Sequence, residues 1–232
     1  ALALNRLSGN GGDPVVELQT NFGGGKTHAL IALYHLVSGD PALGTLPGIE
    51  DVMQAANVKE LPRANRAVLV GTKLNVSIGQ KKPEGIVIST MWGEMAYQLG
   101  GLEGYEIVAR NDQDGTSPGS DTLKELFERF SPAIILIDEW IAFARNLYRE
   151  RREEKLLAGS FESNMTFAQT LTEAANRSQN ALVVASIPAS DNEIGGEGGM
   201  EALERIQNTF KRLETVWKPA TAEESFSIVR RR

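Results

Sequence analysis

The sequence has no cysteine among its 232 residues and only two histidines. Without cysteine the chain forms no disulfide and no thiolate metal site, and we expect it to be cytoplasmic. No apolar run is long enough to span a bilayer, and no signal-peptide pattern opens the chain. The net charge of −6, from 24 basic and 30 acidic residues, argues against strong non-specific binding to nucleic acid. A hydrophobic content of 41% is ample for one domain with a full core.

The most informative feature is a glycine-rich loop between a predicted strand and a predicted helix. The strand covers residues 14–19, the loop residues 20–27 (Thr-Asn-Phe-Gly-Gly-Gly-Lys-Thr) and the helix residues 27–37. Glycines let backbone N–H groups cradle phosphate oxygens, and the helix N-terminus adds its partial positive charge there. We therefore predict a phosphate-binding loop; the alternative is a flexible connector. The predicted nucleotide-binding residues are Asn21, Phe22, Gly23, Gly24, Gly25, Lys26, Thr27 and His28.

Two side chains at the end of this loop have predicted chemical roles. Lys26 is expected to reach the β- and γ-phosphates, and the Thr27 hydroxyl is expected to bind Mg²⁺. The loop departs from the general pattern G-x-x-x-x-G-K-[ST] at one position, because Thr20 stands where the first glycine is usual. The loop and the helix that follows it indicate ATP or GTP as the ligand.

A pair of acidic residues follows the most continuous apolar run, residues 133–137. Such a run predicts a buried strand, and ligands of open α/β sheets bind beyond the carboxyl ends of the strands. We predict that Asp138 belongs to the Mg²⁺ shell and that Glu139 is the catalytic residue that polarises the attacking water. The alternative is an acidic pair that stabilises the start of the helix from Trp140 through the helix dipole.

Three further residues are weaker candidates. Ser186 ends the predicted strand 181–186, where it is a candidate sensor of the γ-phosphate or of the attacking water. The alternative is an ordinary serine at the end of a strand. Arg205 and Arg212 lie on a later predicted helix and are candidate arginine fingers toward a neighbouring subunit. A solvated arginine on a helix surface is the alternative for both.

Predicted strands alternate with predicted helices along the chain. The strands cover residues 14–19, 66–72, 133–137, 181–186 and 215–218, and the helices cover residues 27–37, 51–56, 92–99, 120–130, 140–157, 161–177 and 200–213. Gly100 and Gly101 are expected to end the helix 92–99, residues 111–119 to form a surface loop, and Ser120 or Asp121 to cap the next helix. This alternation predicts an α/β fold, a three-layer αβα sandwich with a mostly parallel sheet of about five strands.

The predicted helix 140–157 carries a mixture of charges. Its basic residues are Arg145, Arg149, Arg151 and Arg152, and its acidic residues include Glu150, Glu153 and Glu154. A DNA-facing surface is one interpretation. The mixed signs favour a solvated, salt-bridged face instead.

Several segments together resemble one family. They are the glycine loop, Tyr105, residues 136–140, and residues 92–101, which read Trp-Gly-Glu-Met-Ala-Tyr-Gln-Leu-Gly-Gly and are called the tryptophan block below. The loop and the acidic pair look like those of an AAA+-type P-loop ATPase. The wider set resembles a large prokaryotic ATPase family catalogued as domain of unknown function 499, over most of the chain from residue 15 onward. The resemblance implies that this family likewise departs from the general pattern at the first glycine, where Thr20 stands here.

The resemblance implies more than the residues do. It implies a P-loop NTPase fold with an AAA+-like core, ATP rather than GTP, and a large multidomain ATPase found with restriction-modification or phage-defence genes. Residues 1–232 would then be a single ATPase core domain of a longer protein, with a helical lid that begins near residue 220.

Three functions follow as hypotheses. The leading one is Mg²⁺-dependent ATP hydrolysis that drives conformational work in a nucleic-acid-linked assembly, with a homo-oligomer, DNA or defence-system proteins as partners and no membrane. The second is a nucleotide-gated switch or scaffold with little turnover. The third is a small-molecule kinase, which the sequence supports least, because nothing after Glu139 resembles an acceptor pocket.

Overall fold

A computed structural model describes residues 1–20, 25–148, 156–188, 194–211 and 214–217. The strands are β1 (Val15–Thr20), β2 (Asn65–Val70), β3 (Gln80–Lys81), β4 (Val87–Ile88), β5 (Ala133–Asp138), β6 (Ala181–Pro188) and β7 (Glu214–Trp217). The helices are α1 (Leu2–Leu7), α2 (Lys26–Leu36), α3 (Ile49–Ala55), α4 (Met91–Asp114), α5 (Ser120–Arg129), α6 (Trp140–Leu147), α7 (Phe161–Arg177) and α8 (Gly196–Phe210). A 3-10 turn covers Pro41–Thr45. Among the described residues, no helix is both long enough and apolar enough to cross a membrane.

Five strands form one parallel sheet in the order β2-β5-β6-β1-β7. Alternate residues of β5 face opposite sides, so Ile135 joins one core while Ile134 and Leu136 join the other. Helices α4 to α8 cover the first core, and α1 to α3 cover the second. A sheet buried on both faces explains why its strands are continuous apolar runs. The predicted three-layer αβα sandwich is confirmed.

The chain between β2 and α4 forms a short antiparallel hairpin, β3 and β4. The tryptophan block fastens this hairpin. Glu94 forms an ion pair with Lys82 (2.7 Å between Oε2 and Nζ), and the Tyr97 hydroxyl donates to Glu84 Oε2 at 2.9 Å.

Gln98, in the same block, covers the edge of the main sheet. Its side chain accepts from the Val68 N–H (2.6 Å) and donates to the Val68 carbonyl (3.0 Å). Val68 lies on β2, an edge strand whose backbone groups would otherwise lack ladder partners on that side. A side-chain amide thus takes the place of a neighbouring strand.

Helix α4 breaks at Gly100 and Gly101, whose φ angles are −137° and 61°. The predicted stop is therefore correct, but a second helical limb follows at once and runs to Asp114. That second limb lies against the first. Asp112, near the end of the second limb, accepts from the N–H of Thr90, which immediately precedes the first limb (2.8 Å). The predicted surface loop 111–119 was wrong for its first four residues.

Asp112 explains that error. Its buried carboxylate also accepts from the Ser89 N–H (3.1 Å), the Thr90 hydroxyl (2.6 Å) and the Tyr105 hydroxyl (3.1 Å). Burial, followed by the Asp112 charge, raises the pKa of Tyr105 to about 12. This polar stretch is helical here because its one buried carboxylate, Asp112, bonds inside the protein rather than to water.

One helix cap and two other helix boundaries differ from expectation. Helix α5 is preceded by Gly119 without a side-chain cap, and Asp121 instead pairs with Arg177 at 2.6 Å. Helix α6 ends at Leu147 rather than at residue 157, because the next residue takes an extended conformation (ψ 123°). Helix α8 begins at Gly196, four residues before the start of the predicted helix 200–213.

The early start of α8 has a packing reason. A Cβ on Gly198 would lie 2.5 Å from the Tyr148 side chain, and a Cβ on Gly199 would lie 2.2 Å from the Ile194 carbonyl oxygen. The glycines let the helix approach its neighbours closely, so they belong to a packed helix rather than to a loop.

The first helix is tied to the segment between α7 and β6. The Arg6 guanidinium is buried and donates to the carbonyl oxygens of Gly12 (3.1 Å), Ala175 (2.8 Å), Ser178 and Ala181 (3.0 Å). These bonds satisfy the guanidinium N–H groups and hold α1 against the start of β6.

Candidate functional site

The glycine loop and its helix have the predicted order. Strand β1 ends at Thr20 and helix α2 begins at Lys26, with Gly25 at the N-cap in the left-handed conformation (φ 78°). A residue with a Cβ rarely adopts that conformation, which accounts for glycine at position 25. Lys26 is half-buried, while Thr27 is exposed. The predicted binding residues Asn21, Phe22, Gly23 and Gly24 lie outside the described residues.

The two halves of the predicted site meet in space. The Thr27 hydroxyl donates to Asp138 Oδ2 at 2.9 Å, although 111 positions separate the two residues along the chain. They meet because β1 and β5 are parallel strands of one sheet whose carboxyl ends share an edge. Asp138 is half-buried, so part of its carboxylate remains open to solvent.

Ser186 lies between these two strands on β6. Its side chain is only 3% exposed, donates to Asp138 Oδ1 and accepts from the Glu139 N–H at 3.1 Å. The hydroxyl therefore bonds to the acidic pair itself.

Glu139 has an unusual backbone conformation for a residue with a side chain, with φ 54° and ψ 38°. The Gly71 N–H donates to the Asp138 carbonyl at 2.8 Å, and a Cβ on Gly71 would lie 2.1 Å from the Glu139 carbonyl oxygen. Only glycine leaves room for this contact. The exposed Glu139 side chain accepts from the Thr72 hydroxyl at 2.6 Å between Oγ1 and Oε2.

Gly71 and Thr72 were not among the predicted site residues. The signal was present, since they follow β2, the strand next to β5, and a polar residue after a parallel strand points to the same edge of the sheet. The predicted strand 66–72 includes both residues, whereas β2 ends at Val70. Thr27, Thr72, Asp138, Glu139 and Ser186 are called the sheet-edge site below.

The model of the family described as DUF499 N-terminal domain matches residues 2–222. The chain belongs to this family. No curated protein matches the sequence.

Two of the remaining candidates of this DUF499 domain, Arg205 and His28, have no described hydrogen bond to the sheet-edge site. Arg205 forms a two-pronged ion pair with Glu162, with both N–O distances 2.8 Å, and its guanidinium lies 5.6 Å from the Phe161 ring centroid. It is engaged within its own chain. Arg212 lies outside the described residues, and His28 is exposed on α2 without a contact to the acidic pair among the described hydrogen bonds.

The basic residues of the predicted helix 140–157 are divided by the end of α6. Arg145 lies on α6, is exposed and donates to the Ile194 carbonyl at 3.3 Å. Arg149, Arg151 and Arg152 lie outside the described residues of the domain. A continuous basic face on one helix is therefore not described.

Proposed function

We propose that this domain binds ATP with Mg²⁺ and hydrolyses it at the sheet-edge site. The observation that carries the proposal is the hydrogen bond between Thr27 and Asp138. It joins the first turn of a helix that follows a glycine loop to a carboxylate at the end of a parallel strand. Phosphate-binding loops present a hydroxyl and a carboxylate to Mg²⁺ in this relation.

The donor set fits Mg²⁺. This ion prefers oxygen ligands and is usually held by one or two carboxylates together with substrate phosphates. Among the described residues there is no group of three His, Asp or Glu side chains that would hold a metal ion by itself. Thr27 and Asp138 would therefore hold Mg²⁺ jointly with the nucleotide. When bound, the ion supplies positive charge beside the phosphate oxygens.

Lys26 and Glu139 complete the proposed mechanism. Lys26 begins α2 beside the loop and would neutralise the β- and γ-phosphates. Glu139 is exposed next to Asp138 and would accept a proton from the attacking water. None of these residues is proposed to contact the nucleotide base. The choice of ATP over GTP therefore rests on the family resemblance alone.

The proposal is tested with equilibrium nucleotide binding and phosphate release. Lys26→Ala should weaken ATP binding about 10- to 100-fold, the effect of losing hydrogen bonds to charged groups. Glu139→Gln should retain binding and lower turnover about 10²- to 10⁴-fold, the usual contribution of a general base. Undiminished phosphate release by Lys26→Ala would refute the site assignment.

Matched controls come from α5. Lys124 and Glu128 form an ion pair at 2.8 Å, one turn apart, with side chains 31% and 55% exposed. Lys124→Ala and Glu128→Gln make the same chemical changes as the two site variants. Both should bind and hydrolyse ATP like the unchanged protein, because exposed ion pairs contribute little to stability.

A nucleotide-gated switch with little turnover is the second candidate. The observation that favours it is the Thr72 hydrogen bond to Glu139, which occupies one oxygen of the proposed base. A single-turnover experiment separates the two functions. Fast phosphate release after one mixing with ATP would count against the switch.

We further propose that ATP drives conformational work in a larger assembly, with the nucleic-acid and phage-defence context resting on the family resemblance. The mass of the protein in solution, with and without Mg-ATP, is the relevant measurement. Assembly that depends on nucleotide would support an arginine supplied by a neighbouring subunit. Since Arg205 is engaged with Glu162, Arg212 is then the first residue to substitute.

A further inference from the structure

Ser186 has contacts that its position in the sequence does not suggest. It occupies β6 between the strands that carry the glycine loop and the acidic pair, and only 3% of its surface is exposed. Its hydroxyl donates to Asp138 Oδ1 and accepts from the Glu139 N–H at 3.1 Å.

These contacts use the only proton that a serine hydroxyl can donate. A sensor of the γ-phosphate would have to donate that proton to a phosphate oxygen. Ser186 instead donates it to a carboxylate, and charge-assisted bonds of this kind are the stronger ones. The sensor role that the end of a strand suggested is therefore not the role that the contacts favour.

The same contacts decide how Asp138 is oriented. One oxygen, Oδ1, accepts from Ser186 and from the Glu139 N–H (3.1 Å), while the other, Oδ2, accepts from Thr27 (2.9 Å). Ser186 holds the first oxygen inside the protein and so turns the second toward Thr27, where the proposed Mg²⁺ ligands meet.

The bond to the Glu139 N–H adds a second effect. Glu139 lies in the left-handed region (φ 54°), which is uncommon for a residue other than glycine. Ser186 from one neighbouring strand and Gly71 from the end of the other hold this conformation. One hydroxyl thus contacts both the carboxylate and the peptide that follows it.

We propose that Ser186 is a positioning residue, which orients the Asp138 carboxylate for Mg²⁺ rather than sensing the γ-phosphate. This inference rests on the proposed nucleotide-binding function. It predicts that loss of the hydroxyl weakens the contribution of Mg²⁺ to nucleotide binding even when the nucleotide has no γ-phosphate.

The experiment measures ADP affinity of the whole chain with Mg²⁺ and with the metal chelated. The ratio of the two dissociation constants reports how much Mg²⁺ strengthens binding. Ser186→Ala should lower this ratio about 10-fold, the lower end of the 10- to 100-fold effect of removing a partner that orients a metal ligand. Affinity in the absence of Mg²⁺ should not change.

Two controls make the result specific. Ser178→Ala removes another buried serine hydroxyl (3% exposed), which donates to the Ala174 carbonyl at 2.8 Å away from the site, and it should leave the ratio unchanged. Ser186→Thr keeps the hydroxyl and should restore the ratio.

Three outcomes would overturn the inference. They are an unchanged ratio in Ser186→Ala, an effect confined to ATP as a sensor would give, or failure of Ser186→Thr to restore the ratio in a folded protein. If the unchanged protein binds no ADP, the proposed function itself fails and this inference with it. That result is distinct, because it appears before any substitution is made.

Discussion

The tryptophan block and the sheet-edge site use polar side chains in opposite ways. In the block, Glu94 is buried and bonds to Lys82 in the turn of the β3–β4 hairpin, and Gln98 is half-buried and bonds to Val68 on β2. In the site, Thr27 and Glu139 are exposed, and Asp138 is half-buried at an open edge of the sheet. The block gives the family resemblance its most specific pattern, and the contacts described for it lie within the fold.

The difference shows that a recognisable motif can either stabilise the fold or form a ligand site. Polar groups whose bonds all end inside the protein stabilise the structure, whereas groups that meet at an exposed edge keep capacity for a ligand. Variants of the block should therefore change the free energy of unfolding and leave nucleotide affinity unchanged. Variants of the site should change nucleotide affinity and leave the free energy of unfolding unchanged.

Trp92→Ala tests the block with the largest expected effect. Trp92 is fully buried and contacts Phe167, with ring centroids 5.5 Å apart. We expect the free energy of unfolding to fall by about 4 kcal/mol, as for other buried tryptophans replaced by alanine. Denaturant unfolding measures this loss.

Trp92→Phe is the control, because it keeps a ring and removes an indole N–H that has no partner among the described residues. Its loss should be clearly smaller. If the folded fraction of Trp92→Ala binds nucleotide more weakly than the unchanged protein, the block does more than stabilise the fold.

Asp112→Ala should lower the free energy of unfolding by about 3 kcal/mol, since buried donors lose a charged acceptor. Calorimetry in parallel with Asp114→Ala checks this. Asp114 is an exposed carboxylate on the same helix, 3.6 Å from Arg110, and its removal should have little effect. Equal losses in the two variants would show that the buried network is unimportant.

Gln98→Ala should cost about 1 kcal/mol of stability, because the N–H and carbonyl of Val68 then face water instead of an amide. Hydrogen exchange at the Val68 amide should become faster. Gln169→Ala removes an exposed glutamine that bonds to Glu173 and should leave that exchange rate alone. Unchanged protection in Gln98→Ala would contradict the edge-cap interpretation.

Thr72→Val has the smallest expected effect and tests the site. Without the donor to Oε2, the Glu139 carboxylate becomes a freer base, and steady-state turnover should rise about threefold, or roughly 0.7 kcal/mol of activation free energy. The melting temperature should stay the same because Thr72 is exposed. Thr72→Ser keeps the hydroxyl and should match the unchanged protein. Lower turnover in Thr72→Val would mean that Thr72 supports the base instead of restraining it.

The layers of the fold could be predicted because they depend on local patterns. Five apolar runs separated by helical periods lead to a buried parallel sheet, and parallel strands bring Thr27 and Asp138 to one edge. The contacts of Ser186 and Thr72 could not be predicted in this way. They depend on which residue of one strand lies beside which residue of the next.

The return of α4 was missed for a related reason. Gly100 and Gly101 predict a stop, but nothing local predicts that the following polar residues fold back so that Asp112 meets Thr90, 22 positions away. The glycines at the start of α8 show the same limit. Their sequence alone is typical of a loop. Only the close packing of Gly198 against Tyr148 shows why glycines stand in this helix.

The carbonyl contacts of Arg6 set an order for folding during synthesis. Arg6 and its acceptor Ala181 are 175 positions apart, so α1 leaves the ribosome long before the start of β6 exists. At about 5–20 residues per second, the guanidinium waits roughly 10–35 seconds for Ala181. Until then only Gly12, six positions on, can accept from it, so the contacts that hold α1 against β6 form only when most of the domain has been made.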